Sequence, residues 1–212
     1  MTTQKTFIIG LPRTGTTSIC SKCLDLGFKV AHTAYTQKTF EQADVIADTP
    51  VFTDYQQLDK YYPNSKFIYL ERELNVWLPS IRQLLQRMFH NITRDDGGFN
   101  PYLKRCYQQV FSPFTLENIL QDDFLIDCYK THKNEVLNYF LQRENDLLVL
   151  NISQAESLNQ LQAFFGLNKT AESFEKLNCG GKVTAWKDIK HPLKVESTHN
   201  GRISTLDYLQ LD

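Results

Sequence analysis

The sequence predicts a three-layer α/β domain in which a mostly parallel central sheet lies between two layers of helices. Short apolar runs of the kind that fill buried strands alternate with longer segments whose apolar residues recur at helical spacing. The links between these segments are short, which is typical of βαβ units. With 212 residues, of which 42% are hydrophobic, the chain is long enough for a single core, so we interpret residues 1–212 as one domain.

The alternation can be followed element by element along the chain. Residues 7–9 form an apolar run that predicts the first strand, and residues 17–26 have helical spacing with Gly27 as a C-cap. The later predicted strands are a short one within residues 28–34 that ends at His32, and residues 44–47, 66–71 and 146–152. The later predicted helices are residues 37–43, 54–62, 74–88, 102–111 and 123–143, and residues 153–165 are predicted to form a turn and a helix. Around residues 89–122 the regular pattern lapses and aromatic residues are frequent, which indicates an insertion.

A glycine-bracketed turn joins the first strand to the first helix. Gly10 and Gly15 are separated by four residues, the spacing of a P-loop, in which backbone N–H groups and the helix N-terminus bind phosphate. The lysine of that motif is missing, because Thr16 stands in its place and Arg13 is the only cation in the loop. A loop without that lysine suits an anion that is bound without a metal. We therefore predict a three-layer P-loop-like domain with no metal site.

Residues 12–17, which read Pro-Arg-Thr-Gly-Thr-Thr, resemble the loop by which sulfotransferases hold 3′-phosphoadenosine 5′-phosphosulfate (PAPS). Members of that family have Pro, a basic residue, Ser or Thr, Gly, Thr and Thr in this order. The resemblance is to the small, soluble, bacterial-type members, and it covers about residues 5–170. It implies contacts with the 5′-phosphosulfate from Pro12, Arg13, Thr14, Gly15, Thr16, Thr17 and Ser18.

A second segment resembles the place where sulfotransferases bind the 3′-phosphate of PAPS. In that family an Arg closes a strand and a Ser lies eight residues further on, and Arg72 and Ser80 have this spacing. A guanidinium and a hydroxyl suit a phosphate dianion, because both donate hydrogen bonds and the guanidinium adds charge. A late glycine-rich basic turn resembles a further contact of the family, and it implies Gly181 and Lys182 as additional donor-binding residues.

The resemblance implies an enzyme that moves a sulfuryl group from PAPS to a hydroxyl or amine of a small-molecule or carbohydrate acceptor. The product of the donor is adenosine 3′,5′-bisphosphate, and the insertion at residues 89–122 would form the acceptor pocket or its lid. Arg13 stands where the family usually has a basic residue, most often Lys, against the leaving oxygen. Because a guanidinium stabilises charge well but is a poor proton donor, we predict electrostatic rather than acid catalysis by Arg13.

An acceptor hydroxyl or amine also needs a base. Asp48 and then His32 are the first candidates, because each ends a predicted strand and so lies at the ligand-binding edge of an open sheet. Asp54 and His90 are weaker candidates. Each of the first two has a structural alternative, since Asp48 could cap the turn that follows it and His32 could be a partly buried structural ring.

The sequence alone does not exclude two other classes of protein. A P-loop kinase or NTPase-like phosphotransferase would need the missing lysine, although the acidic end of residues 44–48 could imitate its magnesium-binding carboxylate. A non-catalytic nucleotide-binding module would keep the loop and lack a competent base.

Composition and charge predict the partners and the compartment. The net charge of −1 provides no field that would attract nucleic acid, and no run approaches the ~18 apolar residues of a membrane span. The chain enters its first strand at once, which leaves no room for a secretory signal, and its five cysteines are scattered. We therefore expect a cytoplasmic protein, in which Cys20 and Cys23 are two helical cysteines rather than a redox or zinc pair.

Overall fold

Five parallel strands form the central sheet of the protein, as seen in a computed structural model that describes residues 4–168 and 185–197. The strands are β1 (Thr6–Ile8), β2 (Val30–Ala31), β3 (Val45–Ala47), β4 (Lys66–Leu70) and β5 (Leu147–Leu150). Their order across the sheet is β2-β3-β1-β4-β5, and each neighbouring pair is parallel. The predicted α/β fold is therefore confirmed, with β1 at the centre of the sheet.

Helices connect the strands and cover both faces of the sheet. They are α1 (Thr16–Asp25), α2 (Gln37–Gln42), α3 (Val51–Tyr61), α4 (Leu74–Thr93), α5 (Pro101–Val110), α6 (Leu116–Leu120), α7 (Asp122–Tyr139) and α8 (Ser157–Phe164). Short 3-10 helices lie at Glu144–Asp146 and Trp186–Asp188. Residues 89–122 are thus more regular than predicted, because they hold the end of α4 and all of α5 and α6.

Several predicted boundaries differ from the structure by a few residues, and two of these differences have a local reason. The strand expected within residues 28–34 ends beside His32, as predicted, but it has only two residues, because the Phe28 N–H still bonds to the Cys23 carbonyl of α1. Helix α3 begins at Val51, before the predicted start at residue 54. Pro50 precedes it, and its carbonyl accepts hydrogen bonds from the N–H groups of the first turn. A proline is tolerated at this place because the first N–H groups of a helix have no partner within the helix.

Alternating side chains of the strands divide the core into two apolar layers. Phe7 and Ile9 lie on one face of the sheet and pack with residues of α3 and α7, such as Tyr55 and Val136. Ile8 points to the opposite face, where residues of α1 and α8 cover it. Burial on both faces explains why the strands read as continuous apolar runs.

A third apolar cluster, enclosed by helices α4 to α7, lies beyond the carboxyl ends of the strands. It includes Leu11, Trp77 and Tyr107, and the indole N–H of Trp77 donates a 3.0 Å hydrogen bond to the carbonyl of Pro12. This cluster therefore packs against the loop after β1 and supports it.

Helix α7 carries a buried histidine, His132, whose ring is 5% exposed and packs against Phe52, Tyr55 and Tyr69. Its Nε2 atom lies 2.7 Å from the carbonyl oxygen of Phe52, so Nε2 donates a proton to that bond. The Nδ1 atom has no partner among the described residues. Burial lowers the pKa of His132 to about 4, and the ring is neutral in the folded protein at neutral pH.

We expect this histidine to make the folded state less stable as the pH falls. The unfolded chain binds a proton near the ordinary histidine pKa of about 6.5, whereas the folded chain does so only near pH 4, so stability is lost across this interval. The full difference between these two pKa values corresponds to about 3 kcal/mol of unfolding free energy. Urea unfolding at several pH values should show this slope in the native protein and a flatter one in His132→Gln; equal slopes would contradict the assignment.

Candidate active site

The carboxyl ends of four neighbouring strands meet at one cavity of about 330 Å³. The loop after β1 lies at its centre, His32 directly follows β2, Asp48 directly follows β3, and Arg72 lies two residues after β4. Nine residues singled out by the sequence line this cavity: Pro12, Arg13, Gly15, Thr16, Thr17, Ser18, His32, Asp48 and Arg72. The ligand-binding edge expected for an open parallel sheet is therefore where these side chains converge.

Two glycines allow the loop after β1 to adopt its shape. Gly15, with a φ of 108°, precedes the first residue of α1, and a side chain there would meet Ile152. A Cβ added at Gly10 would lie 2.5 Å from the Cβ of Leu70, so the loop passes close to the end of β4. The N-terminus of α1 consequently faces the cavity, and its partial positive charge favours an anion there.

Arg13 joins the two predicted donor-binding segments. Its Nε donates a 2.7 Å hydrogen bond to the hydroxyl oxygen of Ser80 on α4, and a terminal nitrogen of Arg72 donates a 2.7 Å bond to the Arg13 carbonyl. Burial, and then the charge of Arg87, lowers the pKa of Arg13, while burial and then Arg13 lowers the pKa of Arg72. Guanidinium groups keep their charge in proteins, so two cations stand side by side with a hydroxyl.

His32 and Asp48 lie on the other side of the loop. The His32 Nε2 atom is 3.2 Å from each of the hydroxyl oxygens of Thr16 and Thr17, and 3.9 Å from Oδ2 of Asp48. Burial lowers the pKa of His32 below its ordinary value, against the opposing charge of Asp48, so the ring is neutral at pH 7. Asp48 has a φ of 56°, and its Oδ1 accepts hydrogen bonds from the N–H and the hydroxyl of Thr49.

A sequence comparison identifies the family to which this arrangement belongs. A family model described as "Sulfotransferase domain" matches residues 33–183, more than two thirds of the chain. The chain belongs to the sulfotransferase family. A search of curated proteins found no match for this sulfotransferase. The matched residues include Asp48, Arg72 and Ser80 and begin after the loop that follows β1.

The remaining predicted site residues of this sulfotransferase lie elsewhere. The Asp54 carboxylate, 3% exposed, is held by both terminal nitrogens of Arg105 at 2.8 and 2.6 Å, which links α3 to α5. The structure also leaves His90, on α4, outside the cavity lining. The Thr14 hydroxyl is turned inward, where it donates to the Leu11 carbonyl at 2.7 Å. Gly181 and Lys182 lie outside the described residues.

Three residues at the site had not been singled out. Leu84 lines the cavity one helical turn after Ser80, and this spacing on α4 was a signal that could have been used. Tyr107 comes from the aromatic-rich insertion. Trp186, which stacks on His32, lies in a stretch of the sequence without periodicity, so nothing in the sequence pointed to it.

The sulfotransferase has buried cysteines and no candidate membrane span in the part that the structure describes. Cys20 and Cys23 are fully buried within α1, and burial raises the pKa of both thiols, which disfavours the reactive thiolate. None of the described helices combines the length and the apolar composition that crossing a bilayer requires.

Proposed function

We propose that this sulfotransferase moves the sulfuryl group of PAPS to a hydroxyl or amine of a small-molecule or carbohydrate acceptor, releasing adenosine 3′,5′-bisphosphate. The observation that carries the proposal is the junction of Arg13, Arg72 and Ser80 at the mouth of the loop after β1. Arg13 belongs to the loop after β1 and Arg72 follows β4, so the two cations suit a donor with one anionic group at its 5′ end and another at its 3′ end.

The residues present fit such a donor in two places. The backbone N–H groups between Gly10 and Gly15, together with the N-terminus of α1, suit the 5′-phosphosulfate. Arg72 and Ser80 suit the 3′-phosphate, because the Ser80 oxygen accepts from Arg13 and its own O–H remains available to donate. Within the proposal, Ser80 contacts both the phosphate and the catalytic arginine.

Arg13 stabilises the leaving group in this proposal. The donor supplies an activated sulfur–oxygen bond, and negative charge develops on its bridging oxygen when that bond breaks. With Nε bonded to Ser80, the two terminal nitrogens of Arg13 remain to donate to that oxygen. Arg13 acts through charge and hydrogen bonding and transfers no proton, since a guanidinium stays protonated at neutral pH.

His32 takes the proton of the acceptor in this proposal. Its ring is neutral, and in the tautomer that carries its proton on Nδ1 the Nε2 lone pair is directed at the Thr16 and Thr17 hydroxyls, where an acceptor O–H or N–H beside the sulfuryl group would take their place. Asp48, 3.9 Å from Nε2, then stabilises the imidazolium that forms. Both of the bases that the sequence ranks first thus have a function in this proposal: His32 accepts the proton, and Asp48 stabilises the charged ring.

Ligand-dependent melting tests the donor site. Adenosine 3′,5′-bisphosphate without metal, at a hundredfold excess over its Kd, should stabilise the fold by about 2.7 kcal/mol and raise Tm by roughly 5–10 °C. Because the loop has no P-loop lysine, ATP with Mg²⁺ should raise Tm little. A larger shift with ATP and Mg²⁺ would overturn the proposal in favour of a phosphotransferase.

Arg72→Ala serves as the matched variant in the same experiment. Loss of a charge-assisted contact of about 1.5–3 kcal/mol should weaken adenosine 3′,5′-bisphosphate roughly ten- to a hundredfold. Adenosine 5′-phosphosulfate has no 3′-phosphate, and its affinity should scarcely change. Equal losses for both ligands would mean that Arg72 only supports the loop through its bond to the Arg13 carbonyl.

A further inference from the structure

A segment distant in the sequence packs beside His32, the proposed base. We call residues 185–197 the Trp186 segment. It pairs with the outer edge of β2, where the Val30 N–H donates to the Leu193 carbonyl at 3.0 Å and the Val195 N–H donates to the Val30 carbonyl at 2.8 Å. Val30 and Lys194 form a parallel bridge. The segment therefore extends the sheet at the strand that His32 follows.

Within this segment, Trp186 covers a face of His32. The two rings are stacked, with centroids 5.5 Å apart and an interplanar angle of 27°. Lys194 fixes the tryptophan, because its ammonium donates to the carbonyl oxygens of Trp186 and Ile189 at 2.7 and 2.9 Å and lies 5.1 Å from the centroid of the indole ring.

The His32 ring is consequently held from two directions. The indole packs on its face, while the Thr16 and Thr17 hydroxyls meet its Nε2 atom at 3.2 Å. Two charged groups act on the ring, Asp48 after β3 and Lys194 in the Trp186 segment. A ring fixed in this way can direct a lone pair at one position, which is what a proton acceptor in group transfer requires.

We propose that Trp186 is a positioning residue of this sulfotransferase, whose indole orients the His32 imidazole and excludes water from its face. The inference rests on the proposed function, in which His32 accepts the proton. Trp186 lies beyond the residues matched by the family model, so the match assigns it no role. The covering indole also contributes to the burial that lowers the pKa of His32, with Lys194 acting in the same direction and Asp48 against it.

Trp186→Ala tests the proposal by two readouts, with Trp186→Phe as the conservative variant. Lys187→Ala, an exposed neighbour in the same segment, is the control. Titration of the ¹⁵N-labelled imidazoles by NMR, with His32 assigned by its loss in His32→Asn, needs neither donor nor acceptor. The His32 pKa should rise in Trp186→Ala, stay near the native value in Trp186→Phe, and be unchanged in Lys187→Ala.

Turnover provides the second readout. Trp186→Ala should lose about tenfold in kcat because the imidazole is less well oriented, with the KM for the donor unchanged and most of the rate restored in Trp186→Phe. The acidic limb of its pH–rate profile should move to higher pH with the raised pKa. An NMR titration or a kcat in Trp186→Ala that matches Lys187→Ala would overturn the proposal.

The closing measurement separates this inference from the proposed function. If His32→Asn retains full turnover, His32 is not the base, and both the proposed proton acceptor and the positioning role of Trp186 fall. If His32→Asn is inactive and Trp186→Ala matches Lys187→Ala, the proposed function stands and only the role of Trp186 is overturned. A His32 pKa that rises in Trp186→Ala, together with a turnover rate that is restored in Trp186→Phe, supports both the proposed function and the role of Trp186.

Discussion

Replacing His32 with Asn should lower turnover by about 10²–10⁴-fold, the usual consequence of a lost general base, while affinity for adenosine 3′,5′-bisphosphate is nearly unchanged. Asn keeps a polar group near Thr16 and Thr17 but cannot take a proton at neutral pH. The acceptor is unidentified, so the assay follows release of adenosine 3′,5′-bisphosphate across alcohols, phenols, amines and sugars. Calorimetry of the same variant measures the donor site independently of transfer.

Asp48→Asn is the matched comparison for His32→Asn. The amide keeps the size of the carboxylate and can still accept from the Thr49 N–H, so the turn should be retained. Turnover should fall by less than in His32→Asn. Because Asp48 raises the pKa of His32, the acidic limb of the pH–rate profile should move to lower pH when that charge is removed. A larger loss in Asp48→Asn would exchange the two roles and make Asp48 the base.

Arg13→Ala should lower turnover by about 10²–10³-fold, the range found when a donor to a developing oxyanion is removed. Unlike His32→Asn, it should also weaken binding of adenosine 3′,5′-bisphosphate, because the loop loses its only cation. Arg13→Lys restores the residue that sulfotransferases usually have here and should keep much of the activity. Its single ammonium must serve both the leaving oxygen and Ser80, whereas in Arg13 the bond to Ser80 uses Nε alone and leaves the terminal nitrogens for the proposed contact.

The measurement for Arg13 combines single-turnover kinetics with donor affinity. An Arg13→Ala variant that binds the donor less well but transfers at the native rate once saturated would assign Arg13 to binding alone. Full activity in Arg13→Ala would show that Arg13 has no function in the reaction.

The sequence predicted the fold, and the edge of the sheet at which the candidate residues meet, for a physical reason. Buried parallel strands must read as apolar runs, and the residue that ends each run lies at one edge of the sheet, so His32, Asp48 and Arg72 could be placed there. The loop after β1 was also readable, because its glycines permit a backbone shape that other residues resist.

The other residues around the cavity were less predictable from the sequence. Tyr107 reaches the cavity only through the packing of α5 on α3 and α4, and such tertiary contacts leave no local pattern. Trp186 meets His32 because its segment pairs with β2, a long-range contact that composition does not reveal. Asp54, which ranked as a possible base, turned out to be held by Arg105, a residue of the insertion whose packing was not predicted.

The backbone at Arg13 and Asp48 bears on how this protein can evolve. Both residues have a left-handed φ, 72° and 56°, which costs a non-glycine residue about 1–3 kcal/mol at such a position. Glycine would relieve that strain at either position, and it would remove the charge on which the proposed reaction depends. Selection for thermal stability alone would therefore favour variants that are more stable and turn over more slowly. A stabilised form of this enzyme is better sought by substitutions far from the loop after β1 and the turn after β3.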